Sequence, residues 1–184
     1  MNLAGESEIL DFWFTQTPPE RWFASDPDFD AAIRARFEET WLAGKEGRFA
    51  SWAETMRGAL ALIVLLDQFP RNMFRGQAAA FSTDELALVA ARGAIAKGFD
   101  VEAPISVRSF FYLPLMHSED MLDQQECVRL TRARLGEAHF SYPFALRHCE
   151  TIARFGRFPA RNAALGRTST AEEIEFLKAN PNGF

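Results

Sequence analysis

Apolar side chains recur at the spacing of an α-helix along most of this 184-residue chain. The clearest run places a large apolar residue at every fourth position, at Phe29, Ile33, Phe37 and Trp41. This period puts the side chains on one face of an α-helix, whereas a β-strand needs alternation at every second residue, and no stretch sustains that alternation. The sequence therefore predicts an all-α fold.

Local signals divide the chain into seven or eight helices. Asp26-Pro27 is typical of a capped helix start, and residues 82–85 and 170–173 each match a capping box. Short loops join the helices, so we expect helical hairpins in a tetratricopeptide-like arrangement, without a strict repeat. Because 48% of the residues are apolar, we expect one domain over residues 1–184.

The longest apolar run, residues 59–66, lies in a helix predicted from about Trp52 to Phe69. Since the run is apolar all round, this helix is predicted to be central and buried. Pro70 is predicted to end it. The run is closed by Asp67 and is too short to span a bilayer, so no membrane association is expected.

Charge and cysteine content limit the partners and the compartment. The two cysteines are Cys127 and Cys149, and residues 1–8 carry acids where a secretory signal would carry bases, so we expect a reduced, cytoplasmic setting. The net charge of −5 does not favour nucleic acid as a partner. Residues 129–167 nevertheless hold eight arginines against two glutamates, which favours a small anion or an acidic peptide segment.

Two segments carry nearly the same polar sequence around a Phe-Pro pair, and we name them the first corner (residues 67–76) and the second corner (residues 154–167). Each presents an Arg-Asn pair and a further arginine beside a glycine. These side chains predict either locks on the carbonyl groups at helix ends or a shared cationic cradle for a carboxylate or phosphate. The predicted ligand-binding residues are Asp67, Arg71, Asn72, Arg75, His148, Arg154, Arg157, Arg161, Asn162 and Arg167.

A second candidate site is the segment His117-Ser118-Glu119-Asp120. His117 with Glu119 or Asp120 would serve as an acid-base pair on an anionic substrate, as in a hydrolase. The alternative is a helix start in which Ser118 is the cap and the two acids lie in the first turn. His148 is either a ligand or a buried, hydrogen-bonded core residue. The histidines and acids match no metal-binding spacing, so we expect neither a metal nor a cofactor.

Arg147, Thr151 and Arg154 share one face of a helix predicted to start near Pro143. Their spacings of four and three residues align them along the helix axis. By themselves they are typical of a solvated face. Together with the corners they would widen a cationic groove.

Six strings along the chain share a pattern with one protein family: residues 11–14, 22–23, 66–72, 81–84, 113–120 and 154–167. They resemble a bacterial family named domain of unknown function 924, over nearly the whole chain. The resemblance implies an all-α, tetratricopeptide-like fold, with no established activity, cofactor or partner. The family pattern has histidine where this chain has Ala160, so a catalytic role for that histidine would not carry over.

These observations predict a binding module. Its groove is lined by the two corners and the His117 segment, and it takes an anionic peptide terminus or a small acidic ligand. The alternatives are a hydrolase-type enzyme that uses His117 with Glu119 or Asp120, and a purely structural helical scaffold. The identity of the ligand and the oligomeric state stay open.

Overall fold

A computed structural model describes residues 3–180 of the chain. Over that range the regular structure is helical and contains no β-strand, which confirms the all-α prediction; the tetratricopeptide-like arrangement stays a prediction. No helix within the same range combines the length and the apolar character that a bilayer crossing requires. The described residues divide into two compact units: unit 1 holds residues 3–75 and 79–114, and unit 2 holds residues 76–78 and 115–180.

Unit 1 contains the earlier helices of the chain and a core of aromatic rings. Its helices are α1 (Glu6–Asp11), α2 (Pro27–Lys45), α3 (Met56–Ile63), α4 (Phe69–Met73), α5 (Asp84–Ala96), α6 (Phe99–Glu102) and α7 (Ile105–Arg108), and α8 (Leu113–Met116) spans the boundary in the sequence. The ring centroids of Phe37 and Phe69 lie 4.6 Å apart, and those of Trp13 and Phe69 lie 5.6 Å apart. Such contacts add to the free energy gained by burying the rings.

The start of α2 is the one that the sequence predicts. The Asp26 carboxylate accepts hydrogen bonds from the backbone N–H groups of Asp28 and Phe29, each at 3.1 Å, and Pro27 occupies the first turn, where its missing N–H costs nothing. The apolar residues at every fourth position are buried, which confirms the predicted inner face. They are Phe29, Ile33, Phe37 and Trp41.

The central buried helix is confirmed, but its predicted end is wrong. Residues 59–66 are all buried, and the helix continues past Pro70 through a π-helical turn, Val64–Gln68, into α4. The π turn shifts the hydrogen-bond register just before the proline. Pro70 then lies in the first turn of α4, where an N–H group has no intrahelical acceptor, so the proline is tolerated.

The capping box predicted at residues 82–85 is absent, although α5 begins where expected. The Thr83 hydroxyl donates to the backbone carbonyl of Leu66 at 2.6 Å and accepts from the Trp41 indole Nε1 at 3.1 Å. Both partners are distant in sequence, so the hydroxyl is committed to the core and does not cap the helix. Helix α5 closes before Gly98, whose φ of +77° suits the turn, as predicted.

Unit 2 consists of a helical hairpin and a final helix. The hairpin pairs α9 (Met121–Arg134) with α10 (Ser141–Phe155), and α11 (Ala171–Ala179) follows a 3₁₀ turn at Pro159–Arg161. The predicted capping box at the start of α11 is confirmed in both directions. The Glu173 N–H donates to the Thr170 hydroxyl at 3.1 Å, and the Thr170 N–H donates to the Glu173 carboxylate at 2.7 Å.

The cap of α9 differs from the predicted one. Asp120 is the cap, because its carboxylate accepts from the Leu122 N–H at 2.7 Å. The Ser118 hydroxyl instead accepts from the Asp120 N–H and donates to the buried Asp123 carboxylate at 2.7 Å. Ser118 therefore orders the turn that precedes the helix.

Candidate functional site

Arg71 of the first corner lies among carboxylates of unit 1. Its guanidinium donates two hydrogen bonds to Asp84, at 2.8 and 3.0 Å, and one to the Asp67 carbonyl at 2.8 Å. The fully buried Asp67 carboxylate lies 3.4 Å from the same nitrogen and also accepts from Gln68. Burial alone would lower the pKa of Arg71, but the charges of Asp67 and Asp84 outweigh it and raise the pKa. This arginine is therefore held as a cation by carboxylates of its own unit.

Asn72 and Arg75 of the first corner bind Asp30 of α2. The Asn72 amide donates to one carboxylate oxygen at 2.9 Å, and Arg75 donates to both oxygens at 2.8 and 3.0 Å. Together with the Arg71–Asp84 pair, these bonds fix α4 against α2 and α5. The first corner thus acts as a lock between helices of unit 1.

The second corner repeats this arrangement on Glu173 of α11. Arg157 donates to both carboxylate oxygens at 2.6 and 2.8 Å, and Asn162 donates at 3.3 Å. The Glu173 side chain is 2% exposed. The hydrogen bonds from Arg157 lower its pKa to about 2, with further contributions from the Thr170 N–H and Asn162. The carboxylate therefore stays charged and saturated with donors.

Arg167 ties the second corner to Glu119. Its guanidinium donates to both Glu119 oxygens at 2.7 and 3.0 Å and to the Asn162 amide oxygen at 2.9 Å, while the Phe158 N–H donates to Glu119 at 2.8 Å. Burial raises the pKa of Glu119, but the hydrogen bonds from Arg167 and Phe158 outweigh this and hold the pKa below its ordinary value. Glu119 is consequently an ionised acceptor in a bidentate ion pair.

His117 and His148 lie in the same part of unit 2. Arg161 donates to the His117 carbonyl at 2.7 Å, and the two imidazole centroids are 6.2 Å apart. His148 is buried, its Nδ1 lies 2.8 Å from the Phe144 carbonyl, and its ring lies 5.4 Å from that of Phe158. Unit 2 therefore brings the His117 segment together with His148 and the second corner. The arginines of the first corner belong to unit 1, and the shared cradle stays a prediction.

The contacts bear on the predicted acid-base groups. Glu119 is held by Arg167, and Asp120 caps α9, so both acids already have structural partners. Burial raises the pKa of Cys127 to about 12, which leaves this thiol protonated. Across residues 3–180, no three His, Cys, Asp or Glu side chains are grouped so that they could hold a metal ion. The hydrolase alternative stays a prediction.

An open pocket of about 160 Å³ lies between α10 and α11. Its walls are Arg147, Glu150, Thr151, Arg154, Phe176 and Asn180. The sequence predicts that Arg147, Thr151 and Arg154 share one face of this helix. The structure adds an aromatic wall, the Phe176 ring of α11. Phe176 and Asn180 carry no local signal for this role, because only the packing of α11 on α10 brings them there.

The arginines that line this pocket differ in their partners from Arg71, Arg157 and Arg167 of the corners. Arg154 is 51% exposed, and its partner Glu172 is 61% exposed, at 2.8 Å. The Arg154 guanidinium also lies over the rings of Phe155 and Phe176, 4.8 and 5.6 Å from their centroids. Arg147 is exposed, and no carboxylate of the described residues forms an ion pair with it.

Thr151, the middle residue of the predicted solvated face, does not face solvent. Thr151 is 4% exposed, and its hydroxyl donates to the Arg147 carbonyl at 2.8 Å. On this face of α10 the two arginine side chains are therefore exposed, whereas Thr151 between them is buried. Thr151 is covered because α11 packs beside this face and forms the far wall of the pocket.

Comparison with known proteins places the chain in a family. The model of bacterial proteins of unknown function, DUF924, matches residues 9–181. A solved structure of a protein of unknown function from Agrobacterium tumefaciens is 38% identical, with a TM-score of 0.89, over 95% of this chain and 97% of that one. Comparison with curated proteins gives no significant match. The chain belongs to the DUF924 family of bacterial proteins, as its resemblance indicated.

Proposed function

We propose that this protein is a binding module that takes a small carboxylate-bearing ligand in the pocket between α10 and α11. The observation that carries the proposal is the contrast in arginine partners. Arg71, Arg157 and Arg167 are each bound to a carboxylate that is at least partly buried, whereas Arg147 and Arg154 present guanidinium groups at an open pocket.

A carboxylate ligand suits these two guanidinium groups. Arginine offers planar, paired donors that match a carboxylate in two parallel hydrogen bonds. Arg154 is oriented by its contacts with Phe155 and Phe176, so less side-chain entropy is lost when a ligand binds. Its pairing with Glu172 is exposed, and such pairs contribute only about 0.2–1 kcal/mol, so a ligand can displace Glu172.

The size of the pocket limits the ligand. Drug-sized ligands occupy pockets of roughly 300–1,000 Å³, and this one holds about 160 Å³. It therefore fits a molecule of amino-acid size or the end of a chain, and it is too small for a nucleotide. The proposal leaves the first corner out of the cationic groove predicted from the sequence, because the arginines of that corner are already bound to Asp30 and Asp84.

The direct test is a titration of the ¹⁵N-labelled protein with 4-methylpentanoate, followed by NMR. We expect millimolar binding, with amide shifts centred on Thr151, Phe176 and Asn180, because an isolated carboxylate in an exposed site binds weakly. Arg147→Gln should weaken binding about fivefold. The matched control is Arg129→Gln, an exposed arginine of α9 that pairs with Glu126, and it should bind like the wild type. Absence of binding, or equal binding by Arg147→Gln, would refute the proposal.

Glu172→Gln tests the role of Arg154 in the opposite direction. Removing the competing carboxylate should free the guanidinium and tighten binding about twofold to threefold. An affinity that falls or stays the same would show that Arg154 does not contact the ligand.

A further inference from the structure

One feature of the pocket is not explained by an anionic ligand. Glu150 lines it next to Arg147, three positions along α10. Opposite charges at this spacing on a helix commonly pair, yet among the described residues these two form no ion pair, and Glu150 is exposed. The pocket therefore presents the Arg147 guanidinium and the Glu150 carboxylate side by side, each available to a ligand.

On the basis of the proposed function, we infer that the ligand is a free α-amino acid in its zwitterionic form. Its carboxylate binds Arg147 and Arg154, and its ammonium group binds Glu150. Its side chain lies against Phe176. This assignment gives every charged wall of the pocket a partner of opposite sign.

Charge separation in the pocket suits this class of molecule. Residues three apart on a helix have Cβ atoms about 5–6 Å apart, so the Arg147 and Glu150 side chains reach one small ligand from neighbouring points. An α-amino acid carries its ammonium and carboxylate groups on the same carbon atom. A simple carboxylate would instead lie beside the Glu150 carboxylate and be repelled by it, whereas the ammonium group replaces that repulsion with a charge-assisted hydrogen bond.

Phe176 supplies the apolar part of the site. Its ring faces the pocket from α11 and already carries the Arg154 guanidinium at 5.6 Å from its centroid. An aliphatic side chain on the ligand would cover this ring and remove apolar surface from water. With about 160 Å³ available, an amino acid of the size of leucine is the natural occupant.

Four ligands of one carbon skeleton separate the contributions, each titrated into the ¹⁵N-labelled full-length protein. L-leucine carries both charges, 4-methylpentanoate lacks the ammonium group, L-leucinamide lacks the carboxylate, and N-acetyl-L-leucine has its amine blocked. We expect L-leucine to bind about fivefold tighter than 4-methylpentanoate and N-acetyl-L-leucine. L-leucinamide should bind more weakly than L-leucine, because it cannot use the arginines.

Glu150→Gln decides the assignment. It should abolish the advantage of L-leucine over 4-methylpentanoate and leave 4-methylpentanoate bound as well as before, or tighter. The control is Glu126→Gln, an exposed acid of α9 away from the pocket, which should keep the advantage. Since Glu150 is exposed, the variant should keep the wild-type thermal midpoint, and this midpoint is measured alongside.

The outcomes distinguish the two proposals. If 4-methylpentanoate fails to bind the wild type, both the proposed function and this inference are wrong. If it binds with the same affinity as L-leucine, or if the advantage of L-leucine survives in Glu150→Gln, the carboxylate site stands and the zwitterion is excluded. Binding of N-acetyl-L-leucine as tight as that of L-leucine would assign the site to the end of a peptide chain.

Discussion

The two Phe-Pro corners have similar polar residues but differ in backbone. In the first corner the helix runs on through a π turn and past Pro70, so that Arg71 and Asn72 project from α4. In the second corner α10 has already ended at Phe155, and Pro159 starts a short 3₁₀ turn. A Phe-Pro pair close before an Arg-Asn pair is therefore compatible with a continuous helix and with a helix end.

Both corners nevertheless build the same clamp. An Asn amide and an Arg guanidinium bind one carboxylate from another helix, which is Asp30 of α2 in unit 1 and Glu173 of α11 in unit 2. The carboxylates differ in burial, since Asp30 is 16% exposed and Glu173 is 2% exposed. The clamp arginine follows Asn72 in the first corner (Arg75) and precedes Asn162 in the second (Arg157), so different positions of the two segments form the contacts with the distant helix.

The arginine of each Arg-Asn pair provides the largest expected difference between the corners. Arg71→Ala should lower the free energy of unfolding by about 3 kcal/mol, because it removes the guanidinium that pairs with both the buried Asp67 and Asp84. Arg161→Ala should cost about 1 kcal/mol, because it removes a hydrogen bond to an uncharged acceptor, the His117 carbonyl. Urea unfolding followed by circular dichroism measures both values.

Exposed arginines give the reference for these two variants. Arg129→Ala and Arg132→Ala remove surface ion pairs on and beyond α9 and should change stability by less than about 0.5 kcal/mol. Equal losses for Arg71→Ala and Arg161→Ala would contradict the idea that the first corner is the more strongly charged lock.

Sequence reasoning succeeded where the partners are local. The Asp26 cap and the Thr170–Glu173 capping box join groups within three residues, so a short string is sufficient to predict them. It failed at Thr83, whose hydroxyl is taken by Trp41 and Leu66, because these partners arrive only through packing. The predicted helix end at Pro70 was also wrong, because no residue in this segment is a sequence signal for a π turn.

The candidate site follows the same division. The arginines of both corners could be named from the sequence, but Asp30 and Glu119, which bind two of them, are distant in the sequence, and no local pattern pairs them with these arginines. Asp30 lies 45 residues from Arg75, and Glu119 lies 48 residues from Arg167. A sequence shows which side chains can form ion pairs, whereas the fold decides which of them stay available to a ligand.

Glu173 gives the next largest effect and tests the clamp itself. Glu173→Gln keeps the size of the side chain and an acceptor for the Thr170 N–H, but it removes the charge bound by Arg157. We expect a loss of about 2 kcal/mol in the free energy of unfolding. The neighbouring Glu172→Gln is the control; its carboxylate is exposed, so a loss of comparable size there would mean that burial of the clamp is unimportant.

The same variant predicts a change in pH dependence. The folded-state pKa of Glu173, about 2, lies below its ordinary value of 4.5, so the stability that it contributes is fully present above about pH 5 and is lost as the pH falls toward 2. Wild-type stability should therefore fall more steeply over this interval than that of Glu173→Gln. Glu119 has a pKa lowered in the same direction and should leave a residual slope in the variant. Parallel curves for the two proteins would contradict this assignment.

The smallest expected effect concerns the backbone difference between the corners. Gly156 ends α10 with a φ of +68°, and a Cβ added there would meet no atom within 4 Å, so the cost of Gly156→Ala is backbone strain alone, about 1 kcal/mol. Gly93 lies within α5 and has equally open surroundings, but its backbone is helical, so Gly93→Ala should stabilise the protein by about 0.5–1 kcal/mol. Thermal unfolding of both variants should shift in opposite directions. If Gly156→Ala left the stability unchanged, the second corner would not depend on a glycine to end its helix. The packing of the clamp on Glu173 would then determine where α10 ends.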